Sequence, residues 1–204
     1  MPSPIAHGAV GVLIAGLSGL LPGRLRGLRI RQFLPGLCVI VLSLAPDMDA
    51  VPGLFTGDLG RYHNDVFSSL FMGLAAALVV FLIAWALKAT RPRFWFGITL
   101  ACYWGHLLMD FCSPSRGLKL FWPFRHERMA SPVILFEGFH WSQGPLSPVH
   151  VWTVVTEIVF AVFVVSFGLV IRNWRTGRAS GRQRVICIFS GLVLAGFVTY
   201  MNLR

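Results

Sequence analysis

The chain has 204 residues, of which 55% are hydrophobic and only 13% are charged. Soluble domains carry about 25% charged residues, so this composition excludes a soluble globular protein and indicates an integral membrane protein. The net charge of +10 does not indicate a nucleic-acid partner, because Lys and Arg lie in short clusters between apolar segments, as in the loops of membrane proteins.

Six apolar segments follow one another along the chain, and each predicts a helix in the membrane. Their bounds are 5–21, 33–46, 66–87, 94–112, 149–171 and 185–203. A helix needs about 20 residues to span a bilayer, and the second segment is short enough to be a partial or tilted span. The sequence therefore predicts an all-α, polytopic membrane protein with about 5–6 transmembrane helices. We expect one integral membrane domain over residues 1–204.

The basic residues predict how the segments cross the membrane. They cluster in loops 22–32, 88–93 and 172–184, and an excess of Lys and Arg marks cytoplasmic loops. Both termini are then outside, together with loops 47–65 and 113–148.

This topology brings the ionisable residues of four segments to the outer membrane interface. His106 and Asp110 are four residues apart in the stretch FWFGITLACYWGHLLMDF and share one helix face. Ionisable residues inside a membrane segment are costly and usually functional. Each such residue alone also fits loop polarity or a buried hydrogen bond, but their common level in the membrane favours a shared site.

Histidine and aspartate together suit zinc, manganese or iron. The predicted metal ligands are the residues at these outer helix ends, His7, Asp47, His63, His106 and Asp110. We expect a divalent metal there, with zinc as the first choice and manganese or iron as alternatives. One ion with an open position, or two ions that share a carboxylate, would activate water. Asp49 or Asp65 is the predicted general base, or an outer partner of a ligand.

The outer loop 113–148 carries further candidates. Arg116 and Lys119 lie on the face where positive charge is disfavoured, and they are predicted to bind an anionic group; snorkelling to lipid headgroups is the alternative. Glu137 and His140 have the Glu-x-x-His spacing of some metal motifs and are possible additional ligands.

At these residues the chain resembles the YdjM-like family of membrane-bound, metal-dependent hydrolases. The family has an early His, a Pro-Asp-x-Asp motif, a His before a helix, and a His-x-x-x-Asp motif followed by Gly and Pro-Phe. The matching residues here are His7, Pro46 to Asp49, His63, His106 to Asp110, Gly117 and Pro123-Phe124. The resemblance covers residues 5–125, and segments 149–171 and 185–203 are additional helices.

The resemblance implies a location in the bacterial inner membrane, with the site on its periplasmic face. The family is in turn similar in motif order to zinc-dependent phospholipases C, which implies phosphoester hydrolysis. One departure is Ser68, which stands where the family usually has a second His, while Asp65 is gained. A second His-x-x-x-Asp/Glu pair is also absent, which favours a one- or two-metal site over a trinuclear one.

We therefore expect a membrane-bound, metal-dependent hydrolase that acts on a phosphoester in an anionic lipid or lipid-linked substrate. One alternative is a transporter or channel for metal ions or protons, which would need polar residues through to the cytoplasmic side. Another is a non-catalytic membrane scaffold whose polar cluster is structural.

Overall fold

The structure is a computed structural model that describes residues 3–21, 30–57, 64–114, 116–138, 147–148, 150–175, 177 and 180–203. The α-helices of this part of the chain are α1 (Pro4–Leu17), α2 (Leu34–Leu44), α3 (Val51–Thr56), α4 (Leu70–Ala86), α5 (Pro92–Phe111), α6 (His150–Arg175) and α7 (Gly181–Leu203). Short 3₁₀ helices lie at Ile30–Gln32 and Ala45–Ala50. The only β pairing among the described residues is an isolated bridge between Leu118 and Met129. The prediction of an all-α fold is confirmed.

The second apolar segment is longer than its hydropathy indicates. The sequence places its end at Pro46, but the 3₁₀ helix Ala45–Ala50 carries the chain from α2 into α3. Proline is tolerated in the first turn of a helix, where its missing N–H has no intrahelical partner. The combined run Leu34–Gly53 has 20 residues and is long and apolar enough to cross a membrane.

Two further helices, His150–Trp174 and Gly181–Leu203, are also long and apolar enough to span a membrane, while α1 and α4 are shorter apolar helices. Serine begins two of the helices: the side chain of Ser3 accepts a hydrogen bond from Ile5 N–H, and that of Ser69 accepts one from Met72 N–H. Such caps satisfy the exposed amides of a first turn. The structure thus has the helices that a polytopic membrane protein requires.

Neighbouring helices run in the directions that the charge pattern predicts. Helices α1, α4 and α6 point one way, whereas α2, α5 and α7 point the other way. The contacts that define these directions are His7 with Ser43, Ser43 with His106, Ser3 with Glu157, Trp104 with Leu70, and Trp152 with Phe197. The beginning of α1 and the ends of α2 and α5 therefore meet at one end of the molecule.

The outer loop packs over this same end. The amides of Ser131 and Leu135 donate hydrogen bonds to the carbonyl groups of Phe111 and Cys112, where α5 ends. Phe136 is fully buried and packs against Ala6 and Met109. This part of the loop consequently covers α1 and α5 next to His7 and Asp110.

Candidate metal centre

Four of the predicted ligands meet in one buried group, which we call the His–Asp group. It consists of His7, Asp47, His106 and Asp110, and each offers a nitrogen or oxygen atom within 4.8 Å of the others. The side chains of His7 and Asp110 are 0% exposed and that of His106 is 1% exposed, while Asp47 is 21% exposed. The group is therefore closed to solvent except beside Asp47.

The tautomer of His106 is set by a backbone carbonyl group. His106 Nδ1 lies 2.8 Å from the carbonyl oxygen of Ser43, which can only accept, so Nδ1 carries the proton. In the neutral ring the lone pair is then on Nε2, which lies 3.3 Å from Asp47 Oδ1 and 3.3 Å from Asp110 Oδ2. A hydrogen bond of this kind is the usual outer support of a histidine that binds metal.

His7 is held by its backbone and by ring stacking. Its carbonyl oxygen accepts a hydrogen bond of 3.0 Å from Ser43 Oγ, and its ring stacks on that of His106 with the centroids 3.6 Å apart and the planes 12° apart. His7 Nε2 lies 3.4 Å from Asp110 Oδ1. Asp110 thus turns one carboxylate oxygen to each histidine.

The His–Asp group fits a divalent cation. Among the described residues, both ring nitrogens of His7, Nε2 of His106 and both oxygens of Asp110 are buried without a hydrogen-bond partner. Leaving such atoms unsatisfied costs about 1–3 kcal/mol each. Ligand bonds of 2.0–2.2 Å in a tetrahedral zinc site put neighbouring ligand atoms about 3.3–3.6 Å apart. The contacts of 3.3–3.4 Å match that spacing.

The remaining predicted residues have different surroundings. Asp49 is buried in the same 3₁₀ helix as Asp47. Asp65 does not belong to the His–Asp group; its carboxylate makes ion pairs with Lys119 and, at 3.5 Å, with Arg128 Nη2. Lys119, predicted to bind an anionic substrate, is thus paired with Asp65. The roles predicted for these two residues stay predictions.

Two predicted ligands, His63 and His140, lie outside the described residues, so their roles stay predictions. Glu137 is half-buried and Arg116 is exposed, and neither belongs to the His–Asp group. Ser68, which replaces the second family histidine, is buried and donates a hydrogen bond of 3.5 Å to Asn64 Oδ1.

Sequence reasoning did not identify three residues that support this region, Ser43, Arg128 and Glu157. Ser43 is a single small polar residue within an apolar segment, a weak signal. The guanidinium of Arg128 donates to the carbonyl groups of Asn64 and Gly117 at 2.8 and 3.0 Å. Partial burial, together with the Arg116 guanidinium, lowers the pKa of Arg128. Nothing in the loop sequence distinguishes this arginine from its neighbours.

Comparison with known protein families assigns nearly the whole chain to one of them. The model of the family described as YdjM inner membrane protein matches residues 1–201. The match therefore extends past the motifs of residues 5–125 and includes α6 and nearly all of α7. No curated protein and no solved structure matches the chain.

Proposed function

Since the chain belongs to the YdjM inner membrane protein family, we propose that it is a membrane-bound, metal-dependent hydrolase of a phosphoester in a lipid or lipid-linked substrate. The observation that carries this proposal is the buried His–Asp group. Three of its four side chains are closed to solvent, yet they have ring nitrogens and carboxylate oxygens with no hydrogen-bond partner among the described residues. A scaffold would gain nothing from keeping these atoms unsatisfied.

The ring geometry favours two ions over one. The lone pair of an imidazole nitrogen lies in the ring plane, so a bound ion lies close to that plane. The planes of His7 and His106 are nearly parallel and their centroids are 3.6 Å apart, so one ion cannot lie in both planes. Two ions in hydrolytic sites are about 3.5–4 Å apart, and the two oxygens of Asp110 face the two histidines.

Each residue then has a distinct role. His106 and Asp47 would hold one ion, His7 would hold the other, and Asp110 would contribute an oxygen to each. Zinc suits this mixture of nitrogen and oxygen ligands, and a divalent metal with an open position lowers the pKa of bound water to about 7. Asp47 is the partly exposed member, so water and substrate would approach from its side. Asp49, two residues further in the same 3₁₀ helix, is the preferred general base.

The substrate would meet the site at the membrane interface. The predicted topology puts the His–Asp group at the periplasmic face, at the level of lipid headgroups. Arg116 is exposed and is the better candidate to bind an anionic group, because Lys119 is paired with Asp65.

A transport pathway is the weaker alternative. Between the His–Asp group and the opposite end of α1, α2 and α5, the described helices pack through an apolar cluster of Ala15, Val39, Ile98 and Cys102. A pathway for ions would need polar groups there.

Metal content tests the proposal directly. Detergent-purified wild-type protein is expected to contain two zinc, manganese or iron ions per chain by elemental analysis. His106→Ala is expected to lose the ion that it shares with Asp47, and Asp110→Ala to lose both. Asp65→Asn is the matched control and is expected to keep the wild-type content, since Asp65 lies outside the His–Asp group. A wild-type protein that stays metal-free after incubation with these ions would overturn the proposal.

Activity then separates the remaining alternatives. We expect the metal-loaded protein to hydrolyse members of a panel of phosphoester lipids, and a chelator to abolish that hydrolysis. Metal binding together with metal uptake into proteoliposomes, and no phosphoester cleavage, would favour a transporter instead.

A further inference from the structure

Helix α6 carries a fully buried carboxylate in its second turn. Glu157 is 0% exposed in a helix whose sequence is otherwise long and apolar enough to span a membrane. A buried charge at such a position is costly unless it is paired or hydrogen-bonded. The partner of Glu157 therefore indicates what this residue does.

That partner is the first turn of α1. Glu157 Oε1 accepts a hydrogen bond of 2.6 Å from the backbone N–H of Ser3, and Oε2 accepts one from the Ser3 hydroxyl. Ser3 is the N-cap of α1, and its Oγ accepts a hydrogen bond of 3.1 Å from Ile5 N–H. A carboxylate is also favoured here by the positive end of the helix dipole. Glu157 thus fastens the beginning of α1 to α6.

This attachment lies on the helix face that bears His7. Ser3 and His7 are four residues apart, so they are neighbours on one side of α1. His106 has a ring hydrogen bond to the Ser43 carbonyl group, whereas neither ring nitrogen of His7 has a hydrogen-bond partner among the described residues, and its Nε2 only approaches Asp110 Oδ1 at 3.4 Å. The direction of the His7 ring consequently depends on where the backbone of α1 is held.

Three other buried polar residues of α6, Thr153, Thr156 and Ser166, form hydrogen bonds elsewhere. Thr156 Oγ1 donates to the carbonyl group of Thr153 within the same helix, and Thr153 Oγ1 donates to that of Gly138 in the outer loop. Ser166 Oγ donates to the carbonyl group of Phe163, again within α6. The hydrogen bonds of these three residues therefore stay within α6 or reach the outer loop, whereas those of Glu157 reach α1.

We propose that Glu157 is a positioning residue that holds the metal ligand His7 in place through Ser3. This inference rests on the proposed two-metal site, and it assigns α6 a role in positioning one of the metal ligands. Loss of Glu157 should weaken the ion at His7 and leave the ion at His106 and Asp47 in place.

The test compares Glu157→Ala with wild type, using full-length protein in detergent and Zn²⁺ or Co²⁺ as the probe. Wild type is expected to bind two ions, and Glu157→Ala one ion tightly, with the affinity for the second reduced about 10–100-fold, as for other outer partners of metal ligands. The Co²⁺ absorption spectrum should lose the contribution of one site only. Glu157→Gln, which can still accept from Ser3, should recover part of the affinity.

Two further variants separate positioning from general stability. Ser166→Ala removes a buried hydroxyl from the same helix without touching α1 and should keep both ions. Ser3→Ala removes one of the two contacts with Glu157 from the α1 side, and carries the test if Glu157→Ala does not fold. It should weaken the same ion.

Three results would overturn the inference. Two ions of wild-type affinity in both Glu157→Ala and Ser3→Ala would show that His7 does not depend on the attachment. Equal loss of both ions, or the same loss in Ser166→Ala, would show a merely structural role. A metal-free wild type would overturn the proposed function, and with it this inference, whereas the first two results leave the proposed function intact.

Discussion

At the scale of single residues, backbone carbonyl groups orient much of this region. The Ser43 carbonyl fixes the tautomer of His106, and the Ser43 hydroxyl donates to the carbonyl of His7. One residue of α2 therefore contacts both histidines, one by its backbone and one by its side chain. Substitution of Ser43 removes only the hydroxyl contact, so His106 keeps its support.

Arg128 also uses backbone carbonyl groups, in this case to connect two loops near the site. Its guanidinium bridges the carbonyl groups of Asn64 and Gly117 and approaches Asp65 at 3.5 Å. The segment before α4 is thereby attached to the outer loop. Planar guanidinium groups can bond two carbonyl oxygens at fixed angles, whereas a lysine ammonium is a single point charge.

We expect Arg128→Lys to lower the free energy of unfolding by about 1–3 kcal/mol, because hydrogen bonds from charged groups to buried acceptors contribute on that scale. The measurement is denaturant or thermal unfolding in detergent. Arg125→Lys is the matched control, since Arg125 is an exposed arginine of the same loop, and its effect should be within about 0.5 kcal/mol. Equal stability of the two variants would contradict the role of Arg128.

At the scale of elements, α1 and α2 approach closely beside the His–Asp group. A Cβ atom on Gly11 would lie 2.5 Å from Ser43 Oγ and 2.9 Å from the Cα atom of Ile40. Small residues allow such contact between membrane helices, where packing and hydrogen bonds replace the hydrophobic effect. Gly11 thus makes room for the Ser43 hydroxyl that bonds to His7.

Gly11→Ala should push α1 away from α2, because the backbone of Ile40 cannot move aside as a flexible side chain would. We expect destabilisation of about 1–3 kcal/mol, the usual effect of overpacking, together with weaker metal binding. Unfolding and metal titration in detergent measure both effects. Gly8→Ala on the same helix meets nothing within 4 Å and is expected to be neutral or slightly stabilising, since Ala favours the helix. Similar behaviour of the two variants would argue against a tight α1–α2 contact.

At the scale of the whole molecule, alternating helix directions gather the site residues at one end. The beginning of α1 and the ends of α2 and α5 supply the His–Asp group, and the outer loop covers it. The clusters of Lys and Arg in loops 88–93 and 172–184 belong to the opposite end, since these loops join the other helix ends. The charge rule therefore predicts that the site faces the periplasm.

Labelling with a membrane-impermeant maleimide tests this orientation. In a functional variant with Cys38, Cys102, Cys112 and Cys187 replaced, a cysteine at exposed Arg125 should react in intact cells. One at exposed Thr90, between α4 and α5, should react only after the membrane is permeabilised. The reverse pattern would put the His–Asp group on the cytoplasmic face and contradict the charge-derived topology.

Much of this arrangement follows from local properties of the chain. Hydropathy identified the helices, and the spacing of Lys and Arg gave their alternating directions, because both depend on short stretches and on the membrane. The same reasoning grouped His7, Asp47, His106 and Asp110, since helix ends on one side of a membrane lie at one level. The end of the second segment was misplaced because Pro46 is compatible with the first turn of a new helix.

The packed helices decided the contacts that make the site specific. Ser43 and His106 are 63 positions apart, and Ser3 and Glu157 are 154 apart; no local pattern links such residues. The pairing of Asp65 with Lys119 and the stacking of the two histidine rings likewise depend on how the helices and loops fit together. Composition and charge order therefore suffice to bring ligand candidates to one membrane face. Distance, ring orientation and hydrogen bonding come only from packing, because they are set by atoms that the chain brings together from remote positions.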